Sequence, residues 1–185
     1  MIGTRKIRLM SLKEQHRYWE AIMTTKEMAE KIENAAAEFT ARTRYSNQIE
    51  AKVAGDQLLN LLSYLKTAGF DHLACILCVD WLKKDLFEIV YNLWSYSHKI
   101  HATVKTTVNR QEAVLATALS LWPQAQVYEQ EIHEFFGVKF SGNPDLKPFF
   151  LHNWQDMPPL RKDFDTESYA KAAYGTLEEE NGNEL

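Results

Sequence analysis

The chain has 185 residues, 45% apolar and 25% charged, with 21 Lys plus Arg against 25 Asp plus Glu and a formal charge of −4. That length suits one domain with an appendage, and 7 Gly with 5 Pro are too few for a collagen-like or low-complexity chain. A net acidic balance speaks against nucleic-acid binding, which needs concentrated Lys and Arg.

Residues 113–128 carry no charged side chain, but Pro123 interrupts them and they fall short of the roughly 20 apolar residues a membrane-spanning helix needs. Arg5, Lys6 and Arg8 are not followed by an apolar block or a small-residue cleavage site, so no secretory signal is expected. Any link to a membrane would come through partner subunits.

In chain order, residues 12–42 lack Gly and Pro. Trp19, Ile22, Met23, Met28, Ile32, Ala36 and Phe39 recur at three- and four-residue steps, which predicts an amphipathic helix or helix pair, with Thr24, Thr25 and Glu27 as a cap. This is expected as an N-terminal helical appendage over residues 1–44. A short strand at 46–54 follows, then a turn at Gly55 and Asp56, and a helix with Leu58, Leu59, Leu61, Leu62 and Leu65 on one face, ended by Gly69. Residues 72–79, 86–94 and 100–108 read as strands joined by short antiparallel connections. A helix is expected over 110–122, broken by Pro123, and another over 126–136, ended by Gly137. The pattern is α+β: an antiparallel-leaning mixed sheet with helices on one face, over 45–137.

Residues 138–164 hold Pro144, Pro148, Pro158 and Pro159 among bulky aromatics, with no helical or strand period. Such a stretch binds something or is disordered. Phe140, Phe149, Phe150, Leu151 and Trp154 argue for order, because disordered segments are depleted in such residues. An extended partner-binding arm over 138–175 is expected, then an acidic tail over 176–185.

Cys75 and Cys78 lie three apart inside a strand-like run, which points them to opposite faces. They read as reduced core thiols rather than as a metal or redox pair. Three groupings could carry chemistry. Glu129, Glu131, His133 and Glu134 share one short helix and offer an acid/base or metal-binding reading, which His98 and His101 could extend; the plain alternative is a charged helix face. Pro158 and Pro159 stiffen the presentation of Leu160, Arg161, Lys162 and Asp163, and the planar fork of Arg161 suits a carboxylate. Its expected partner is the Glu129, Glu131 and Glu134 cluster or an acid on a neighbouring protein. No phosphate loop, nucleophile elbow or cysteine cluster for an iron–sulfur centre is present in the sequence.

The strings Glu129-Gln-Glu-Ile-His-Glu-Phe-Phe-Gly137, Gly142-Asn-Pro-Asp-Leu146 and Pro159-Leu-Arg-Lys-Asp-Phe164 together resemble the signature of the C subunit of NADH–quinone oxidoreductase (complex I). That family includes the counterpart in energy-converting, membrane-bound [NiFe] hydrogenases. The likeness spans roughly residues 45–170. Gln130, His133 and Glu134 depart from the family's Glu-Arg-Glu-x-Tyr-Asp, and Asn143 from its Gly-His-Pro; a following arginine is replaced around Lys147 and Pro148. His133, Asn143 and the run Phe149-Phe-Leu151 lean towards the hydrogenase branch.

The resemblance implies a non-catalytic peripheral subunit on the cytoplasmic side of the cell membrane. It would carry no cofactor of its own and pack against a large catalytic subunit and a small iron–sulfur subunit, with iron–sulfur clusters and a nickel–iron centre, where present, on those partners. The residues so implied at the interface are Glu129, Glu131, His133, Glu134, Phe136, Gly137, Gly142, Pro144, Asp145, Pro159, Leu160, Arg161, Lys162 and Asp163.

Overall fold

A computed structural model describes residues 23–175. The expectations for residues 12–22 and for the tail at 176–185 lie outside the described residues.

Helix α1 (Thr25–Ala35) begins at a reciprocal cap in which the Glu27 amide donates to Thr24 Oγ1 (3.2 Å) and the Thr24 amide to Glu27 Oε2 (2.8 Å). The sequence predicts helix as far as residue 42, but α1 stops at Ala35 and the chain turns extended at Ala36. Beyond it, Phe39 and Ala41 are buried while the rest of Thr40-Ala-Arg-Thr-Arg-Tyr45 stays exposed in a strand. Strand β1 (Thr40–Tyr45) pairs antiparallel with β2 (Gln48–Lys52), so the backbone groups a helix would have paired locally are taken by the ladder instead.

Helix α2 (Leu58–Thr67) buries Leu58, Leu61, Leu62 and Leu65 completely, worth about 1.5–3 kcal/mol for each side chain removed from water. The chain then lays down β3 (His72–Trp81), β4 (Leu86–Ser95) and β5 (Ile100–Asn109). The sheet order is β1-β2-β5-β4-β3, antiparallel throughout except for the parallel β2/β5 pair. It is a mixed, antiparallel-leaning sheet in an α+β fold. Phe87, Ile89, Tyr91 and Leu93 face inward and join Met28 and Ile32 of α1, the leucines of α2, Trp122 and Ile132 in one core. The outward side carries a polar ladder from Gln48 through Thr103 and Asn92 to Cys75, and an ion cluster in which Glu50 meets Arg42 and Lys105.

The helix predicted over 110–122 does not form. Residues 114–116 instead make strand β6 (Val114–Ala116), paired in parallel with β7 (Lys139–Ser141). The Lys139 amide donates to the Ala113 carbonyl, the Thr117 amide to the Ser141 carbonyl, and the Ala118 amide to the Glu129 carboxylate. Partners distant in sequence thus take the backbone groups a helix would have paired locally, while Ala113, Leu115, Ala118 and Trp122 still reach the core. Helix α3 (Ala125–Phe136) ends as expected at Gly137, whose φ of +82 is ordinary for glycine and strained for other residues. The arm closes on a helix not foreseen, α4 (Thr166–Tyr174), capped by Asp165 accepting from the Ser168 amide at 3.0 Å.

Candidate functional site: the clasp between helix α3 and the arm

Helix α3 faces two ways. Its inward face carries Glu129, whose side chain is fully enclosed and accepts from Thr117 Oγ1 (2.6 Å), the Ala118 amide (2.8 Å) and Asn143 Nδ2 (2.8 Å). Burial pushes this carboxyl above its ordinary range, and the three donors oppose that shift without cancelling it. Asn143 in turn accepts the Asp145 amide on Oδ1. Gly142, at φ +90, turns the chain so tightly that a Cβ there would lie 3.1 Å from Thr117. One carboxylate therefore ties β6, α3 and the first turn of the arm together.

Five residues on, Glu134 accepts three successive amides, those of Phe149, Phe150 and Leu151, from the middle of the arm. Burial would raise its pKa, but the amides of Phe150, Leu151 and Phe149 outweigh it and hold the group below its ordinary value. His133 Nδ1 donates to the Val138 carbonyl at 2.8 Å, which fixes the ring. Gly137 lets Pro158 come close, since a Cβ at 137 would sit 3.3 Å from Pro158 Cγ. Leu146, Pro148, Leu151, Trp154 and Pro158 complete, with His133 and Glu134, a cavity of about 220 Å³ between helix and arm.

The end of the arm is fastened elsewhere. Arg110, 3% exposed, pairs with Asp80 (Nε to Oδ1 2.8 Å; Nη2 to Oδ2 3.1 Å) and donates to Asp163 Oδ1 at 2.7 Å. Asp80 also accepts the Lys162 amide. Of the two partners expected for Arg161, the α3 carboxylate cluster is not the one it meets within the chain; its guanidinium pairs with Asp163 at 3.2 Å and lies 5.6 Å from the Phe87 ring. Glu129 is already engaged by Thr117, the Ala118 amide and Asn143, and Glu134 by three amides of the arm, whereas Asp163 stands two residues from Arg161. Asp163 is drawn down to about 2, chiefly by Arg161, with Arg110 helping to overcome the upward push of burial. Sequence reasoning missed Arg110 and Asp80. The available signal was a pair of unmatched charges, each at the end of an apolar strand.

The remaining candidates are not brought together. His98 accepts the Met23 amide, and the His101 ring lies tilted against Trp94 with centroids 4.4 Å apart. Cys75 contacts Asn92 on the outward face, whereas Cys78 lies opposite Ile89 on the core side, its thiol pushed up to about 12 by burial and by Asp80. Both cysteines are free. Among the described residues no group of three or more His, Cys, Asp or Glu side chains is arranged to hold a metal ion.

What the clasp presents outward is apolar. Phe149, Phe150, Met157 and Leu160 are each 43–54% exposed although their backbone is fixed. Phe149 and Phe150 meet edge to face at 4.5 Å, and Phe150 lies against Phe135. Trp154, Phe164 and Tyr169 form a second cluster that joins α4 to the arm. The arrangement has the chemistry of a docking surface: rigid aromatic anchors, with polar groups satisfied behind them.

The family described as the respiratory-chain NADH dehydrogenase 30 Kd subunit matches residues 51–170. The C subunit of NADH-quinone oxidoreductase from Moorella thermoacetica is 40% identical over 113 residues, covering 60% of this chain and 76% of that protein. The C subunit of F420H2 dehydrogenase from Methanosarcina mazei is 34% identical over 122 residues, covering 64% and 76%. A chain of the membrane-bound sulfane sulfur reductase, an archaeal respiratory membrane complex, superposes with a TM-score of 0.79 at 31% identity, over 85% of this chain and 95% of its own length. With the motif on α3, strands β3, β4 and β5 and most of the arm inside the matched span, the chain belongs to the family of the respiratory-chain NADH dehydrogenase 30 Kd subunit.

Proposed function

We propose that this chain is a non-catalytic subunit of a membrane-bound electron-transfer complex and that it anchors a large catalytic subunit through the clasped arm. Its similarity to the C subunits of NADH-quinone oxidoreductase and F420H2 dehydrogenase, and to a chain of a sulfane sulfur reductase, supports membership of such a complex. The finer reading rests on one observation: the arm holds four large apolar side chains in water while its backbone amides are held by Glu134 and Asp80. Ordering such a segment costs conformational entropy that its own sparse burial does not repay, so a partner surface is the natural compensation.

On this reading the redox cofactors, iron–sulfur clusters and a nickel–iron centre where the complex has one, sit on the large and small partner subunits. No described helix is long and apolar enough to cross a membrane. The chain would then reach the inner face of the cell membrane through those partners. Glu129 does not touch the partner itself; it positions the loop that starts the arm.

The test is co-purification with a tagged large subunit. Phe149→Ser combined with Phe150→Ser is expected to leave the isolated chain folded by circular dichroism and to abolish its recovery with the large subunit. Undiminished recovery would reject the anchor.

A further inference from the structure

We infer that the turn between β3 and β4, together with Lys162, forms a second docking site that takes a carboxylate-rich segment of a partner protein. The inference rests on the reading of this chain as one subunit of a larger complex. Trp81 and Leu82, 40% and 41% exposed, floor a concavity of about 370 Å³ whose walls carry Lys83, Lys84 and Lys162. Lys84 Nζ stands 4.8 Å from the centre of the Trp81 ring.

Two of the acids that would quench this charge are engaged elsewhere, and a third only loosely. Asp80 and Asp163 are bound by Arg110, and Asp85 lies 3.9 Å from Arg110 Nη1. Glu88, half-buried, lies across from Val79 on the outward side of the sheet and is the one remaining nearby carboxylate of β4. Three ammonium groups therefore outnumber the free acid, and among the described residues no ion pair takes up Lys83, Lys84 or Lys162. Leu77 and Val79 extend the apolar floor along β3.

The occupant follows from this layout. Lysine ammonium groups are separate point charges that suit individual carboxylates, with no guanidinium among them to fork a phosphate. A flat bilayer cannot enter a concavity, and the molecule's net charge of −4 opposes an anionic membrane as a whole. An inserted segment instead feels the local field, within the Debye length of about 8 Å at physiological salt. A strand or turn of a neighbouring protein with Asp or Glu flanking an apolar side chain satisfies both the floor and the walls.

The experiment compares the assembled complex with the free chain. Lysines are acetylated with a water-soluble N-hydroxysuccinimide ester and, separately, joined to contacting carboxylates with a carbodiimide; both products are mapped by mass spectrometry. Expected are several-fold slower acetylation of Lys83, Lys84 and Lys162 in the complex and zero-length links from them to Asp or Glu of another subunit. Three results overturn the inference: unchanged acetylation, links to this chain's own Glu178, Glu179 or Glu180, or protection that appears only in lipid nanodiscs and not in detergent. Oxidative labelling of Phe149 and Phe150 in the same sample separates the two readings. A protected arm with reactive lysines retires this site and keeps the anchor, whereas a reactive arm retires the anchor.

Discussion

Three donors converge on the Glu129 carboxylate from two loops, and none of them has another partner of equal quality in reach. Removing the acceptor would strand buried N–H and O–H groups and leave a cavity beneath α3, so Glu129→Ala is expected to cost about 3–5 kcal/mol, read as a shift in urea midpoint at unchanged slope. Acid should act through other groups. Asp163 is lowered from 3.8 to about 2, and Glu50 is lowered from 4.5 to about 2 because Lys105 and Arg42 outweigh the upward push of burial. A depressed carboxyl contributes stability that is fully present above its unfolded value and is lost as pH falls through the folded one. Stability is therefore expected to hold above pH 4.5 and to decline from there towards about 2. Glu129, raised by burial, has the opposite sign and regains stability on protonation. Urea midpoints measured between pH 6 and 2, taken in steps of about 0.5, check the direction.

At the scale of elements, the junction of α3 with the arm turns on Gly137. A side chain there would have to adopt φ +82 and lie 3.3 Å from Pro158. Gly137→Ala is expected to lose about 1–2 kcal/mol, the usual cost of left-handed backbone for an L residue, with thermal unfolding as the readout. Helices α2 and α3 and strands β3, β4 and β5 were legible because each carries its own period, end signal or turn within a dozen residues. The pairing of β6 with β7 was not, since two three-residue strands leave no period and find each other only across α3. The N-terminal helix was overrun because the Ala-rich stretch before β1 has helical propensity, and only pairing with β2 overrides it. Helix α4 left a readable trace in Asp165, the first-turn Glu167 and Lys171 four residues later. Of the clasp, the α3 motif and the stiff arm could be read locally. The Arg110 network could not, because its acids lie 30 and 53 positions away in the chain.

For the whole molecule, a closed core lies beneath one side of a mixed sheet, and an arm is bound to that body by three carboxylates and one buried arginine. Those internal fastenings engage Glu129, Glu134 and Asp163, so the middle of the arm offers a neighbour aromatic and aliphatic surface. The large subunit should bury it. Hydroxyl-radical footprinting of the purified complex beside the isolated chain measures this at Phe149, Phe150, Met157 and Leu160. The anchor role requires strong oxidation of these four side chains in the isolated chain and marked protection in the complex; equal oxidation in both samples would contradict it.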